Sequence, residues 1–335
     1  MLRLAIKWFG LMLGVCVLLL GPTEVAAQVL DKTILNSTVW ISYDIAAPAT
    51  ETKSLQGPSP TRPKSEAPTV AGGTGFLFLE GIGYSRGQVY LVTNKHVLPP
   101  EGKPQDIKIR VAMRNNDGSA HVNEVSIPVV GADGKYLESV RVHPDPDTDV
   151  AAISIGFTAF RDKFQVLIDA IMTGKYLSTS MLMTSDKMRS ADVGMGSRIY
   201  IIGFPDALYD SRNVSPVLRA GIIATDPTEG FNFNPALRRT IAFPEHVNGF
   251  LVDANVYPGS SGSLVVLGPD CMAKGGNSNN GVWHPAIVGI VAGSIPILDT
   301  SLHSYARIGL GIVYSADAIK EVINSFSRPV ANPPH

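Results

Sequence analysis

The sequence predicts an all-β molecule: two six-stranded antiparallel β-barrels in succession, followed by a C-terminal helix. Three observations carry this expectation. Apolar stretches of strand length recur from Thr38 to Tyr314, separated by turn-forming residues. Within them apolar and mostly polar residues alternate, as at Ile107, Ile109, Val111 and Met113, the period of a half-buried strand. Near the end the period changes. Ile319, Val322, Ile323 and Phe326 share one helical face behind Ser315, a residue type suited to capping a helix.

At the N-terminus, Arg3 and Lys7 flank the start of an apolar run from Trp8 to Leu20, and small residues follow at Val25-Ala26-Ala27. This pattern predicts a signal peptide over residues 1–27, cleaved after Ala27, and a secreted or periplasmic protein with no stable membrane anchor. The apolar run is short for a membrane span, which needs ~20 apolar residues. Cleavage removes Cys16 and leaves Cys271 as the only cysteine, so stability must come from core burial rather than an intrachain disulfide. The net charge is −1 and there is no basic run, which leaves nucleic-acid binding without support.

The first barrel is expected over residues 36–157. Its strands are Thr38 to Tyr43, then 74–79, 88–93, 107–113, 122–129 and 151–155. Residues 46–71, rich in Pro, Thr, Ser and Lys, read as a mobile surface loop. The Asn-Asp-Gly between Arg114 and Ala120 reads as a hairpin connection. Residues 158–185 read as a connection, with a packing helix from Phe160 to Met172. The second barrel is expected over 186–314, from strands near 198–203, 217–225, 239–243, 249–255, 263–267, 286–294 and 308–314, one of them an extra or split piece. Gly275-Gly276 and Asn280-Gly281 mark 268–284 as an exposed loop. The final helix spans residues 315–327.

The chemistry begins at Tyr257-Pro258-Gly259-Ser260-Ser261-Gly262-Ser263-Leu264. Small residues keep this turn tight, so a substrate carbonyl can approach the backbone, and the N–H groups of Gly259 and Ser261 can point at one developing negative charge. A serine hydroxyl needs a base within hydrogen-bond reach. His96, at the end of the apolar strand Leu91-Val92-Thr93, supplies one. Asp149, directly before the apolar run 150–153, supplies the carboxylate that orients such a histidine. The chain order His96, Asp149, Ser261 is that of the chymotrypsin-type triad, and the gaps leave room for the rest of one barrel and most of a second.

Other residues of the same types compete less well. Ser260 and Ser263 flank Ser261, but only Ser261 lies two residues after Gly259, where its own N–H completes the hole. Asp145 and Asp147 sit in a Pro-broken loop, as does His143, without a strand to fix them. His121, His246, His284 and His303 read as surface or loop residues. No His pair has metal-ligand spacing and Cys271 has no partner thiol, so neither a metal nor a cofactor is expected. Thr93 and Asn94 are expected to serve the turn that aims His96.

These motifs resemble the trypsin-like serine peptidases of the HtrA/DegP branch over roughly residues 36 to 325. The family's T-N-x-H-V is matched by Thr93-Asn94-Lys95-His96-Val97, its G-x-G-F by Gly73-Thr74-Gly75-Phe76, and its T-D-[ILV]-A-V by Thr148-Asp149-Val150-Ala151 with Ala152 departing. Ile202-Gly203-Phe204-Pro205 and Ala220-Gly221-Ile222-Ile223 are similar to two further family segments. The resemblance implies a chymotrypsin-like fold and a serine endopeptidase acting on polypeptides without zymogen-type activation. The usual G-N-S-G-G-P departs to Gly259-Ser260-Ser261-Gly262-Ser263-Leu264, which at Ser263 also resembles bacterial glutamyl endopeptidases. HtrA proteins usually continue into PDZ domains; this chain stops soon after the last helix, so capture through a PDZ groove is not expected.

By the same resemblance Asn255, six residues before Ser261, lies at the base of the primary specificity pocket. Val291, Ala292 and Gly293 form its wall and the edge that pairs with an extended peptide. A neutral Asn255 offers no counter-charge to Arg or Lys, so a small or medium apolar residue before the scissile bond is expected, with Glu as the outsider. Two rivals stand against an active peptidase. One is a protease-fold module that binds peptides without turnover. The other, an α/β-hydrolase esterase, fails because Gly-x-Ser-x-Gly is absent at the nucleophile and the triad order is wrong.

Overall fold

The computed structural model describes residues 32–45, 69–80, 88–114, 120–156, 177–210, 214–235, 244–268, 285–299 and 304–327. Helix α1 (Lys32–Ser37) leads directly into β1 (Thr38–Ile45). The first sheet continues with β2 (Thr69–Glu80), β3 (Gln88–Thr93), β4 (Gln105–Arg114), β5 (Ala120–Val130), β6 (Val140–Val142) and β7 (Ala151–Gly156). Its order is β5-β4-β1-β2-β3-β7-β6. This sheet has seven strands rather than the expected six. The addition is β6, three residues long and ended by His143-Pro144, too short to show a period in the sequence. The two edge strands meet through the intervening turn, where Leu137 N donates to Val129 O and Val130 bridges Tyr136.

Alternation does the work here. Ile107, Ile109, Val125, Ile127, Leu91, Ile153 and Val39 bury one face together with Leu77 and Ile155. Each such side chain removed from water contributes about 1.5–3 kcal/mol. β2 begins at Thr69, so the last three residues of the expected 46–71 loop are already strand. The rest of that loop, the expected helix 160–172, the strand 239–243 and residues 269–284 lie outside the described residues.

The second sheet closes. Strands β8 (Arg198–Gly203), β9 (Val217–Ile223), β12 (Gly249–Asp253), β13 (Leu264–Leu267), β14 (Ile287–Asp299) and β15 (Ser304–Ser315) form a barrel in the order β12-β15-β14-β13-β8-β9. The short pair β10 (Phe231–Asn232) and β11 (His246–Val247) stands beside it. Ile199, Ile201, Phe250, Val252, Val265, Val288, Val291 and Val313 fill the interior. β14 and β15 run longer than expected, pairing from Gly289 with Ser315 to Asp299 with Ser304. Helix α2 (Ser185–Ser190) straddles the expected boundary at residue 185. Helix α3 (Ala316–Ser325) follows Ser315, whose side chain accepts from the Ala318 N–H. The observed architecture is therefore mostly β, with one closed six-stranded barrel, one open seven-stranded sheet and a C-terminal helix.

Candidate active site

Strand pairing brings His96 and Asp149 together. β3 and β7 are antiparallel neighbours with Thr93 opposite Ala151. A residue just past the end of β3 therefore faces one just before the start of β7. The carboxylate grips His96 twice: Oδ1 accepts from its backbone N–H at 3.0 Å, and Oδ2 bonds ring Nδ1. The first contact fixes the backbone and the second the ring, which leaves Nε2 as the free face of the imidazole. Asn94, fully buried, donates from Nδ2 to Asp149 O at 2.7 Å. It thus holds the aspartate segment, a more direct role than the turn alone. Asp149 is only partly buried, with its side chain 27% exposed beside a His96 that is 50% exposed. It stays partly open because residues 144–147, ahead of β7, are exposed.

The Gly-Ser turn at residues 259–262 is built on close approach. Gly262 has φ +83, and a Cβ there would lie 1.7 Å from Thr74 O. Gly259 has φ +78, and a Cβ would meet Phe204 O at 2.6 Å. Only glycine fits either position. Thr74 secures the turn: its N–H donates to Ser261 O at 2.8 Å and its hydroxyl to Gly259 O at 2.9 Å, while that hydroxyl accepts from Phe204 N at 3.0 Å. Thr93 Oγ1 donates to Thr74 O at 2.7 Å, which links the turn to the strand that carries His96. Among the described residues neither the Gly259 N–H nor the Ser261 N–H has an acceptor.

The Ser261 hydroxyl donates to Ala292 O at 2.9 Å, and no hydrogen bond joins it to His96. The segment Val291–Gly293, expected as the pocket wall, is fixed beside it, since Gly262 N donates to Val291 O and Val291 N to Ser263 O. Ser263 is buried behind the turn, its hydroxyl 3.4 Å from Thr74 Oγ1. Ser260 is also buried and serves the turn. Asn255 is exposed, and its backbone oxygen is taken by the guanidinium of Arg219.

His143 is not the loosely held loop residue its sequence suggested. It is buried at the end of β6; Nδ1 accepts from Asp145 N at 3.1 Å and Nε2 bonds Glu321 of α3 at 2.9 Å. Asp145 is held below the usual carboxylate range, chiefly by the hydroxyl of Thr148. His246 lies in β11 against Asn232, and His121 lies in β5; His284, His303 and Cys271 fall outside the described residues. Tyr314 was missed altogether. Its hydroxyl donates to Asp147 O at 2.9 Å, and burial pushes it up to about 12. Nothing in its apolar strand signals a contact with a loop so distant in sequence.

A closed barrel beside an open antiparallel sheet, with a His–Asp pair beside a tight Gly-Ser turn, is the arrangement of a trypsin-like peptidase. The family model described as "Trypsin-like peptidase domain" matches residues 73–269, and the chain belongs to that family. Two solved structures are similar. A crystal structure of Rv3671c protease in an inactive form shares 12% identity, covering 88% of this chain and 91% of that one, with a TM-score of 0.41. A structure of a serine-to-alanine mutant of Rv3671c from M. tuberculosis, also an inactive form, shares 14% identity, covering 93% and 97%, with a TM-score of 0.43. No curated protein matches the chain.

Proposed function

We propose that this chain is a secreted or periplasmic serine endopeptidase of the HtrA-like kind that cleaves polypeptides. His96 takes the proton of the Ser261 hydroxyl as its oxygen attacks the scissile carbonyl, and Asp149 steadies the imidazolium that results. The Gly259 and Ser261 amides receive the oxyanion. His96 then passes its proton to the departing amine, leaving an acyl group on Ser261. Water, deprotonated by His96, releases the acid and restores the hydroxyl. Asn255 and the Val291-Ala292-Gly293 edge would hold the peptide, the latter by strand addition.

The observation that carries this reading is the double hold of Asp149 on His96 beside a turn with two unclaimed backbone donors. Replacing Ser261 by Ala is expected to lower kcat by about 10⁶ with the fold intact. A mutant that cleaves peptides at the parent's rate would sink it.

One contact favours a second reading. Because the Ser261 hydroxyl is given to Ala292 O rather than to His96, the site is also compatible with a latent peptidase or a peptide-binding module. Labelling by a fluorophosphonate separates the two. Labelling of the parent but not of Ser261→Ala establishes an activated serine; a folded parent that stays unlabelled favours the latent form.

A further inference from the structure

The wall of the specificity region is not neutral. Strand β9 alternates: Val217, Arg219 and Gly221 are half-buried on the face that ends in the fully buried Ile223, while Leu218, Ala220 and Ile222 are exposed. At Gly221 the segment leading to the nucleophile lies directly on the strand, since a Cβ there would meet Asp253 O at 2.6 Å and Ala254 Cβ at 2.7 Å. One pleat earlier, Arg219 reaches under that same segment. Nη1 bonds the backbone oxygen of Asn255, and Nη2 donates to Ser260 Oγ at 3.0 Å, one residue from Ser261. Nε is buried with no partner. Among the described residues no carboxylate lies within ion-pair distance of this guanidinium; the field of Asp206 reaches it from further away.

Removing a cation from water without an adjacent counter-ion is costly. Neither of its two contacts is with an anion, and one of its three nitrogens, Nε, has no partner among the described residues. A peptide with its carbonyl at the Gly259 and Ser261 amides and its backbone along Val291–Gly293 has the side chain before the scissile bond between that edge and residues 255–260. Arg219 bonds the second of those walls near both of its ends, at Asn255 O and Ser260 Oγ. We propose that Arg219 is a specificity-determining residue, and that it selects a carboxylate side chain, glutamate or aspartate, before the scissile bond. This inference rests on Ser261 being the nucleophile, and it replaces the apolar preference suggested by Asn255 alone.

The test uses matched peptides that differ only in Glu or Leu before the cleaved bond, with fluorophosphonate labelling of Ser261 as a separate check on the nucleophile. The parent is expected to favour Glu in kcat/KM, and Arg219→Met to lower the Glu-to-Leu ratio by about tenfold or more, while Arg219→Lys retains part of it. A labelled parent that prefers Leu, or an Arg219→Met variant that loses activity on both peptides equally, overturns the proposal; the latter would make Arg219 a strut for the turn. If no peptide is cut, binding of product peptides ending in Glu or Leu to Ser261→Ala decides the matter by calorimetry. Tighter binding of the Glu product, lost when Arg219→Met is added, supports it, and equal binding refutes it. Circular dichroism of each variant confirms that it folds.

Discussion

Thr74 illustrates how much of this site rests on one hydroxyl outside the proposed triad. Its Oγ1 donates to Gly259 O and accepts from the buried Phe204 N–H, while its own N–H holds Ser261 O. Replacing it by Val keeps the shape and leaves two backbone groups unpaired. Each such group costs about 1–3 kcal/mol when buried. Thr74→Val is therefore expected to lower the unfolding midpoint and to reduce kcat more than it raises KM, because the Gly259 amide is no longer held in place. Thr74→Ser, which retains the oxygen, should recover most of both. Equal losses in the two variants, measured by urea unfolding and peptide hydrolysis, would show that the methyl rather than the hydroxyl matters. His96, Asp149 and Ser261 could be nominated as candidates from the sequence because each sits in a short local motif. Thr74 and Arg219 were not, since their partners lie far along the chain: Thr74 bonds Gly259 across 185 positions and Arg219 bonds Ser260 across 41.

At the scale of elements, α3 is more than a terminal cover. Asp317 in its first turn accepts from the backbone and hydroxyl of Ser185, at 2.8 and 2.7 Å, and thereby starts α2. One turn on, Glu321 holds His143, whose Nδ1 is already occupied by the Asp145 N–H, so the ring proton lies on Nε2. The helix thus fixes the loop that leads to Asp149. Glu321→Ala leaves that buried N–H unpaired. Amide exchange across residues 143–149 is expected to speed up, with β13 and β14 unchanged. A uniform change, or none, throughout the first sheet and the barrel would instead mean that the contact is global or negligible. The strands themselves were largely readable, since alternation and turn residues mark them. β6 was not, because three residues cannot display a period, and the length of the paired strands β14 and β15 was not, because Pro296 in the outer half of β14 argues against a continuous strand.

For the molecule as a whole, the first sheet and the barrel are coupled at the aspartate loop through Tyr314 of β15. Its hydroxyl donates to Asp147 O, and the Asp149 N–H is directed at its oxygen. Burial raises this phenol to about 12 from an ordinary value near 10.0. The sign follows from the proton. Between those values the folded protein keeps a proton that the unfolded chain releases, so stability is fully present below about pH 10 and declines as pH rises towards 12. Tyr314→Phe removes this contribution and should flatten the alkaline limb of the stability curve. Part of the limb will remain, because burial also raises Tyr43, Tyr90 and Tyr136. At neutral pH the same variant loses the hydrogen bond to Asp147 O, which frees the segment carrying Asp149 and should lower kcat with KM nearly unchanged. Urea midpoints followed from neutral to alkaline pH, together with peptide kinetics at neutral pH, check both expectations. An alkaline limb as steep as the parent's would show that Tyr314 does not hold its proton in the fold, and an unchanged kcat would show that the aspartate loop is positioned without it.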